Sequence, residues 1–240
     1  MNRFNFFNIS INDFTKQSLI NHILDICSKR QDKPIFIANH NLHSLYYGLK
    51  NPDYMQIINE ADFIHADGMS IILIAKLFGI PLHKENRITY LDFAFELFSK
   101  MSNMKIFYLG TTKEILEVGL SKIKQRTSLQ VYGHNGFDDN YELIISKINN
   151  FKPDILFVGL GMPKQEYWIN MFKNELDVKV ILNCGCFIDY IAEYKKEPPR
   201  WIGKIGLEWL YRFLCEPKRL FSRYFIEPLF ILKEIFLFYR

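Results

Sequence analysis

Polar side chains stand directly after two short apolar runs that have the composition of β-strands. Asn39 and Asn41 follow residues 35–38, and Asp67 with Gly68 follows residues 63–66. Either asparagine can cap the next helix, or the two amides can read the polar edge of a sugar or of uracil. Asp67 can also be an N-cap, but a carboxylate at the carboxyl end of a parallel strand is well placed to act as a general base. Asp67 is therefore a candidate general base, an interpretation that we favour over a cap, and Asn39, Asn41 and Gly68 are candidate substrate-binding residues beside their roles in caps and turns.

Glycines mark two further turns at which a ligand can approach the backbone. Gly110 and Thr111 open a helix after residues 105–109, and a helix N-terminus of this kind suits a phosphate group. The turn lacks the G-x-G-x-x-G pattern of dinucleotide-binding proteins. Gly185, which follows residues 180–183, is another position that favours close approach.

The turn after residues 155–158 has the sequence Gly-Leu-Gly-Met-Pro-Lys-Gln-Glu. Turn chemistry accounts for its glycines and its proline, but not for the charged and amide side chains that precede an apolar helix. A polar ligand accounts for them better. We therefore predict a ligand site at this turn, formed by Gly159, Gly161, Pro163, Gln165 and Glu166.

Short β-rich runs alternate with amphipathic helical stretches through residues 1–194. The predicted strands are 35–38, 63–66, 105–109, 129–132, 155–158 and 180–183. The predicted helices are 14–29, 42–60 with a second start at Pro52, 69–78, 91–100, 113–125, 141–151 and 165–174. This alternation predicts an α/β fold, a Rossmann-like, largely parallel sheet with helices on both faces, whose ligands bind at the carboxyl ends of the strands.

The composition excludes several classes of protein. With 240 residues, 49% of them hydrophobic, the chain is too apolar to be disordered, and its four cysteines are too few for a secreted disulfide scaffold. The first ten residues lack an apolar signal core and no run of eighteen uncharged apolar residues exists, so we expect cytoplasmic synthesis and no spanning helix. Cys184 and Cys186 have no second cluster at ligand spacing, so we expect reduced thiols and no metal site.

Residues 195–240 differ from the rest of the chain and form a predicted second unit, a basic, aromatic and helical C-terminal appendage. They carry ten Lys and Arg against five Asp and Glu, a net charge of +5, and hold 11 of the 38 aromatic residues. Residues 201–224 have an amphipathic helical pattern that Pro217 interrupts, and Pro228 starts a further helix. The appendage is either a packed helical lid or a surface that docks on an anionic membrane, where each basic residue contributes about 1 kcal/mol. Such an apolar tail is also compatible with a homo-oligomer.

The sequence resembles the bacterial WecG/TagA/CpsF glycosyltransferases from about Asn8 to Pro228. Three blocks carry the resemblance: Asn41 with residues 61–68, residues 154–169, and residues 206–224. The resemblance implies transfer of an N-acetylmannosamine-type sugar from a UDP-sugar to a polyprenyl-diphosphate-linked sugar, with inversion, at the cytoplasmic face of the membrane. The chain has no D-x-D motif, so we expect a metal-independent enzyme that needs no cofactor besides its sugar-nucleotide substrate.

The resemblance also implies roles for individual residues. Asp67 is the base, Gln165 with its neighbouring glycines and proline lines the donor pocket, and Arg87 matches an arginine block that ends at Asp92. The appendage meets the membrane, where the cations that face the lipid diphosphate are Arg212, Lys218, Arg219 and Arg223. Asn39 replaces a threonine and Tyr90 a glycine that the family usually has, so the donor sugar stays open.

Three other functions compete with this interpretation. A nicotinamide-dependent oxidoreductase needs a glycine-rich first turn that the first predicted strand lacks. A membrane-associated protein that binds sugar nucleotides without catalysis is disfavoured by the intact Asp67. Nucleic-acid binding is not expected, because the body has a net charge of −1 and residues 230–239 are too apolar for a solvated groove.

Overall fold

The computed structural model describes residues 1–197 and 208–240, apart from the side chains of Asp92 and Glu208. The chain begins with an antiparallel hairpin of β1 (Arg3–Phe6) and β2 (Ile9–Asn12). Phe7 and Asn8 form its turn with positive φ angles of 43° and 63°. The sequence analysis did not predict this hairpin, although Phe4, Phe6, Ile9 and Ile11 alternate with polar residues.

Six parallel strands form the central sheet of the described chain. They are β3 (Ile35–His40), β4 (Phe63–Ala66), β5 (Lys105–Gly110), β6 (Gln130–His134), β7 (Ile155–Gly159) and β8 (Val180–Asn183). Their order across the sheet is β4-β3-β8-β7-β5-β6. All six predicted strands are confirmed, with ends that differ by at most two residues.

Helices follow the strands in alternation. Their bounds are α1 (Lys16–Ser28), α2 (Leu42–Lys50), α3 (Pro52–Asn59), α4 (Met69–Leu77), α5 (Tyr90–Lys100), α6 (Lys113–Arg126), α7 (Tyr141–Phe151), α8 (Lys164–Phe172) and α9 (Phe187–Ile191). The predicted helix start at Pro52 is confirmed. Pro52 fits there because the first turn of a helix does not use its missing N–H.

Side chains of successive strand residues pack into two separate cores, one on each face of the sheet. Phe107 and Leu109 of β5 pack into the core beneath α2, α3, α4, α7 and α8, whereas Ile106 and Tyr108 pack into the core beneath α1, α5, α6 and α9. Because side chains alternate across a strand, a strand covered on both faces is apolar throughout. The predicted α/β sheet with helices on both faces is therefore confirmed.

The C-terminal residues form three helices in the described chain, α10 (Glu208–Cys215), α11 (Pro217–Phe221) and α12 (Glu227–Phe238), with a π-helical turn at Ser222–Ile226. The first part of the predicted amphipathic stretch, residues 201–207, lies outside the described residues. Ile231 and Ile235 of α12 belong to the same buried core as Leu45 of α2. Within residues 1–197 and 208–240, no helix is long and apolar enough to cross a membrane.

Candidate active site

Asn41 holds the carboxylate that we predict to be the base. It is the N-cap of α2, and its side chain accepts a hydrogen bond from the Ser44 backbone N–H at 3.0 Å. Because the carbonyl oxygen of the amide is used in the cap, its nitrogen turns the other way and donates to Asp67 Oδ2 at 3.3 Å. One side chain can thus both cap the helix and take part in the site around Asp67.

Asp67 lies at the carboxyl end of β4, where its backbone N–H donates to the His40 carbonyl at 2.7 Å. Gly68 follows with a φ of 94°, a conformation that favours glycine, and caps α4. Burial raises the pKa of Asp67, while the Asn41 amide and the positive charges of Arg212, Arg223 and Arg87 act in the opposite direction. The site therefore offers a carboxyl group with a raised pKa and cations around it, as a general base requires.

A buried network of amides and one acid lies beneath the neighbouring strand ends. Glu166 is 0% exposed, and its Oε1 accepts hydrogen bonds from Gln165 at 2.6 Å and Asn183 at 2.8 Å. Asn39 donates to the Asn183 backbone carbonyl at 2.7 Å, and the Gly185 N–H donates to Gln165 Oε1 at 3.2 Å. Burial raises the pKa of Glu166 to about 7. Four predicted site residues thus meet in one network: Asn39, Gln165, Glu166 and Gly185.

Glycines pack the strand ends against one another. A Cβ at Gly159 would collide with Tyr108 Oη and the Gly185 carbonyl, and a Cβ at Gly110 would collide with the Gly159 backbone. Tyr108 Oη donates to the Gly185 carbonyl at 2.9 Å, which fixes this arrangement. Gly161 is different, since it has open space around it and a φ of 79°. Gly159 and Gly110 are therefore needed for packing, and Gly161 for its turn.

Two cavities meet at Asp67. A polar cavity of about 500 Å³ runs over the carboxyl ends of the strands, and an apolar cavity of about 480 Å³ lies between α4 and the C-terminal helices. The residues that line both are Asn41, Asp67, Thr89, Arg212 and Arg223. A carboxylate at such a junction can reach a group on a ligand from either side.

The polar cavity contains most of the predicted ligand-binding residues. Its lining includes Asn39, Asn41, Thr111, Gly159, Gly161, Gln165 and Gly185, together with Arg212, Arg219 and Arg223. Thr112 rather than Thr111 is the N-cap of α6. The fold therefore brings together residues from the ends of all six strands of the described sheet and from the C-terminal helices.

Other predicted residues have different positions. Arg87 acts on Asp67 through its charge, and its backbone lies beside Ala66 at the end of β4. Pro163 stands at the N-cap of α8 after a cis peptide bond, and Lys218 is exposed on α11. Asp92 lies in α5, and its side chain is outside the described structure.

The sequence analysis missed several residues that line the polar cavity, namely His43, Thr89, Tyr190 and Lys195, and it did not assign Tyr90 to the site. Lys195 pairs with Asp189 at 3.2 Å, and the Arg212 guanidinium lies over the Tyr190 ring at 5.5 Å. The contact between Arg212 and Tyr190 spans 22 residues, and that between Lys195 and Asp189 follows no motif that the sequence analysis used. The sequence did single out Tyr90, because the family usually has a glycine at this position.

Comparison with known proteins shows the family of this chain. Residues 4–239 match the glycosyl transferase WecG/TagA/CpsF family. The chain belongs to this family. Its relatives include the N-acetylglucosaminyldiphosphoundecaprenol N-acetyl-β-D-mannosaminyltransferases of Staphylococcus aureus strains MRSA252 and NCTC 8325 / PS 47. Each is 29% identical over 228 residues, which cover 94% of this chain and 89% of the relative.

Family membership confirms the resemblance that the three sequence blocks carry. In this WecG/TagA/CpsF protein, two of the blocks end on the same cavity, since the first supplies Asn41 and Asp67 and the second supplies Gly159, Gly161 and Gln165. The described part of the third block supplies Arg212, Arg219 and Arg223. Blocks that are far apart in the sequence thus surround one site.

Proposed function

We propose that this protein transfers N-acetylmannosamine, or a closely related sugar, from a UDP-sugar to N-acetylglucosaminyl-diphospho-undecaprenol during the synthesis of a cell-surface or wall polymer. The observation that carries the proposal is the junction of a polar and an apolar cavity at Asp67. A water-soluble donor and a lipid-linked acceptor need two binding sites of opposite character that share one reaction centre. The name of the staphylococcal relatives supplies the choice of sugar and acceptor.

The UDP-sugar fits the polar cavity. The backbone turns at Thr111 and Gly161 stand at the starts of α6 and α8, where helix N-termini favour negative charge. Lys195 and Arg219 line the same cavity and add positive charge. Together these groups can balance the charge of a diphosphate without a resident cation.

The lipid-linked acceptor fits the apolar cavity. Its walls consist of apolar side chains from α4, α10 and α12, including Leu73, Ile74, Trp209, Ile231, Leu232 and Ile235. Arg212 and Arg223 lie at its inner end beside Asp67. A polyprenyl chain would contact the walls, and its diphosphate would face the two arginines, which leaves the terminal sugar near Asp67.

The reaction is a direct displacement in which Asp67 acts as the base. The acceptor hydroxyl attacks the anomeric carbon of the donor, Asp67 takes the hydroxyl proton, and UDP leaves from the opposite face with inversion. The helix N-termini and the cations of the polar cavity stabilise the leaving diphosphate. We expect the transfer to need neither a metal ion nor a cofactor.

The protein would act at the cytoplasmic face of the membrane, to which it binds peripherally through residues 195–240. Apolar side chains on the surface of α12 support this location, because Leu229 is 68% and Phe236 is 59% exposed. Lys218 and Lys233 are exposed in the same C-terminal helices and suit an anionic surface. The same helices form one wall of the acceptor cavity, so membrane binding and acceptor binding use one structure.

A transfer assay tests the proposal. The full chain is incubated with a panel of UDP-sugars and a polyprenyl-diphosphate-N-acetylglucosamine analogue, and both UDP release and the disaccharide product are measured. We expect UDP release that depends on the acceptor, with UDP-N-acetylmannosamine as the best donor. Binding of UDP-sugars without any product would instead indicate a non-catalytic binding protein.

A further inference from the structure

A buried acid of α12 pairs with a histidine of α2. Glu227 is 3% exposed and stands in the first turn of α12. Its carboxylate oxygens lie 2.9 and 3.0 Å from His43 Nδ1. Because a carboxylate only accepts hydrogen bonds, His43 Nδ1 is the donor. Burial of an unpaired carboxylate destabilises a protein, so the contact with His43 offsets the free-energy cost of burying Glu227.

The pair joins the two walls that meet at Asp67. His43 follows Asn41 by two residues, and Asn41 holds the Asp67 carboxylate. Glu227 follows Arg223 by four residues, and Arg223 lines both cavities. A shift of α12 along α2 would therefore change the position of Arg223 relative to Asp67.

Apolar contacts alone do not fix that position. The Phe230 ring lies 5.2 Å from the Tyr46 ring, and Ile231 and Ile235 are buried against the core. Such contacts hold α12 on the protein, but the hydrophobic effect is non-directional and tolerates small shifts. The pair between His43 and Glu227 adds a directional contact at the start of α12, and the hydrogen bond from Tyr239 Oη to the Leu77 carbonyl at 3.3 Å adds one at its end.

We propose that His43 and Glu227 form a positioning pair that sets Arg223, and with it the acceptor cavity, relative to Asp67. This inference rests on the proposed function for its kinetic consequences. His43 also lines the polar cavity, so direct contact between its ring and the donor is the competing role. The two roles predict different effects of replacing Glu227. Positioning requires Glu227, whereas direct contact between His43 and the donor does not.

The test compares Glu227→Leu, His43→Leu, the double variant and His43→Asn in the full chain. In His43→Asn the amide nitrogen takes the place of Nδ1 and can still donate. Glu234→Gln, on the same helix, is the matched control. Three quantities are measured in one detergent solution. They are the KM for the lipid acceptor, the affinity for UDP, and the hydrogen exchange of the α12 backbone amides.

Positioning predicts that both leucine variants lower kcat/KM for the acceptor by up to about 100-fold, mainly through KM, because a small misplacement has effects of this size. The double variant should be no worse than either single one, while His43→Asn recovers most of the activity. UDP affinity should not change, and exchange of α12 amides should rise equally in both leucine variants.

Two results would overturn the inference. One is weaker UDP binding in His43→Leu but not in Glu227→Leu, which would make His43 a donor ligand. The other is unchanged α12 exchange in both leucine variants. If even the unaltered protein transfers no sugar, the proposed function fails, but the exchange measurements still decide whether the pair positions α12.

Discussion

At the scale of single residues, Asp67 is a partly buried carboxylate that we propose as the catalytic base. General-base catalysis contributes roughly 100- to 10,000-fold to a rate, so Asp67→Asn should lower kcat by about that factor. Binding of the UDP-sugar should persist, because the asparagine keeps the size of the side chain. Measurement of kcat and of donor affinity checks both expectations, with Asp53→Asn on α3 as an exposed control. A kcat close to that of the unaltered enzyme would remove Asp67 from the role of base.

Glu166 should make stability depend on pH. Burial raises its pKa to about 7, above the value of about 4.3 in an unfolded chain. The stabilising contribution of this shift is complete below the unfolded pKa and is lost as the pH rises through 7. Glu166→Gln should therefore melt higher than the unaltered protein at pH 8, but not at pH 5. Thermal melts at the two pH values test this, and an equal difference at both would mean that Glu166 does not titrate in this range.

The cations of the site should make divalent metal unnecessary. Lys195 and Arg219 line the polar cavity in which the UDP-sugar is proposed to bind, and the helix N-termini of α6 and α8 open onto it. Treatment with EDTA should therefore leave kcat unchanged in the transfer assay. A loss of activity that added Mg²⁺ restores would contradict this expectation.

At the scale of elements, the ends of β5, β7 and β8 pack through their glycines. Gly159→Ala would push its Cβ into Tyr108 Oη and the Gly185 carbonyl, which neighbouring strands hold in place. Overpacking of this kind typically costs about 1–3 kcal/mol. Denaturant unfolding should show that loss, and donor affinity should fall because Gly185 lines the cavity. Tyr108→Phe serves as a control that removes the hydroxyl without adding volume, and an unfolding free energy unchanged in Gly159→Ala would contradict the packing argument.

The elements of the sheet were predictable because most strands are apolar on both faces and each is followed by a helix. The hairpin of β1 and β2 was not predicted, because its turn residues are Phe7 and Asn8 rather than a pair that contains glycine. Strand-end residues such as Asn41 and Asp67 were predictable as ligand-binding candidates, since the architecture places all carboxyl ends together. His43 was not, because its partner Glu227 lies 184 residues away and only the packing of α12 on α2 brings them into contact.

At the scale of the whole molecule, α12 has two apolar faces. Ile231 and Ile235 point into the core, whereas Leu229, Leu232 and Phe236 are exposed on another face. Leu73 of α4 is 61% exposed and lines the same cavity as Leu232, so the exposed surface continues from α12 onto α4. An apolar surface around the mouth of the acceptor cavity is expected if the protein takes its acceptor from a membrane.

This double-faced helix also determines how membrane docking must be tested. Removal of residues 195–240 would expose the core that Ile231 and Ile235 cover, so point substitutions in the full chain are preferable. The triple substitution Leu229→Ser, Leu232→Ser and Phe236→Ser leaves that core intact. The predicted division of the chain at residue 195 stays a prediction, which these variants do not address.

We expect the triple variant to bind anionic vesicles about 100-fold more weakly. Full burial of each of these side chains contributes about 1.5–3 kcal/mol, and a membrane surface buries them only in part, so the substitutions remove only a fraction of the summed binding energy. Val118→Ser with Leu143→Ser removes exposed apolar side chains from α6 and α7 and should bind as well as the unaltered protein. Cosedimentation at low and high salt gives both affinities. Because the basic residues remain, residual binding should weaken as salt increases. Equal binding by the triple variant and the unaltered chain would show that α12 does not enter the membrane surface.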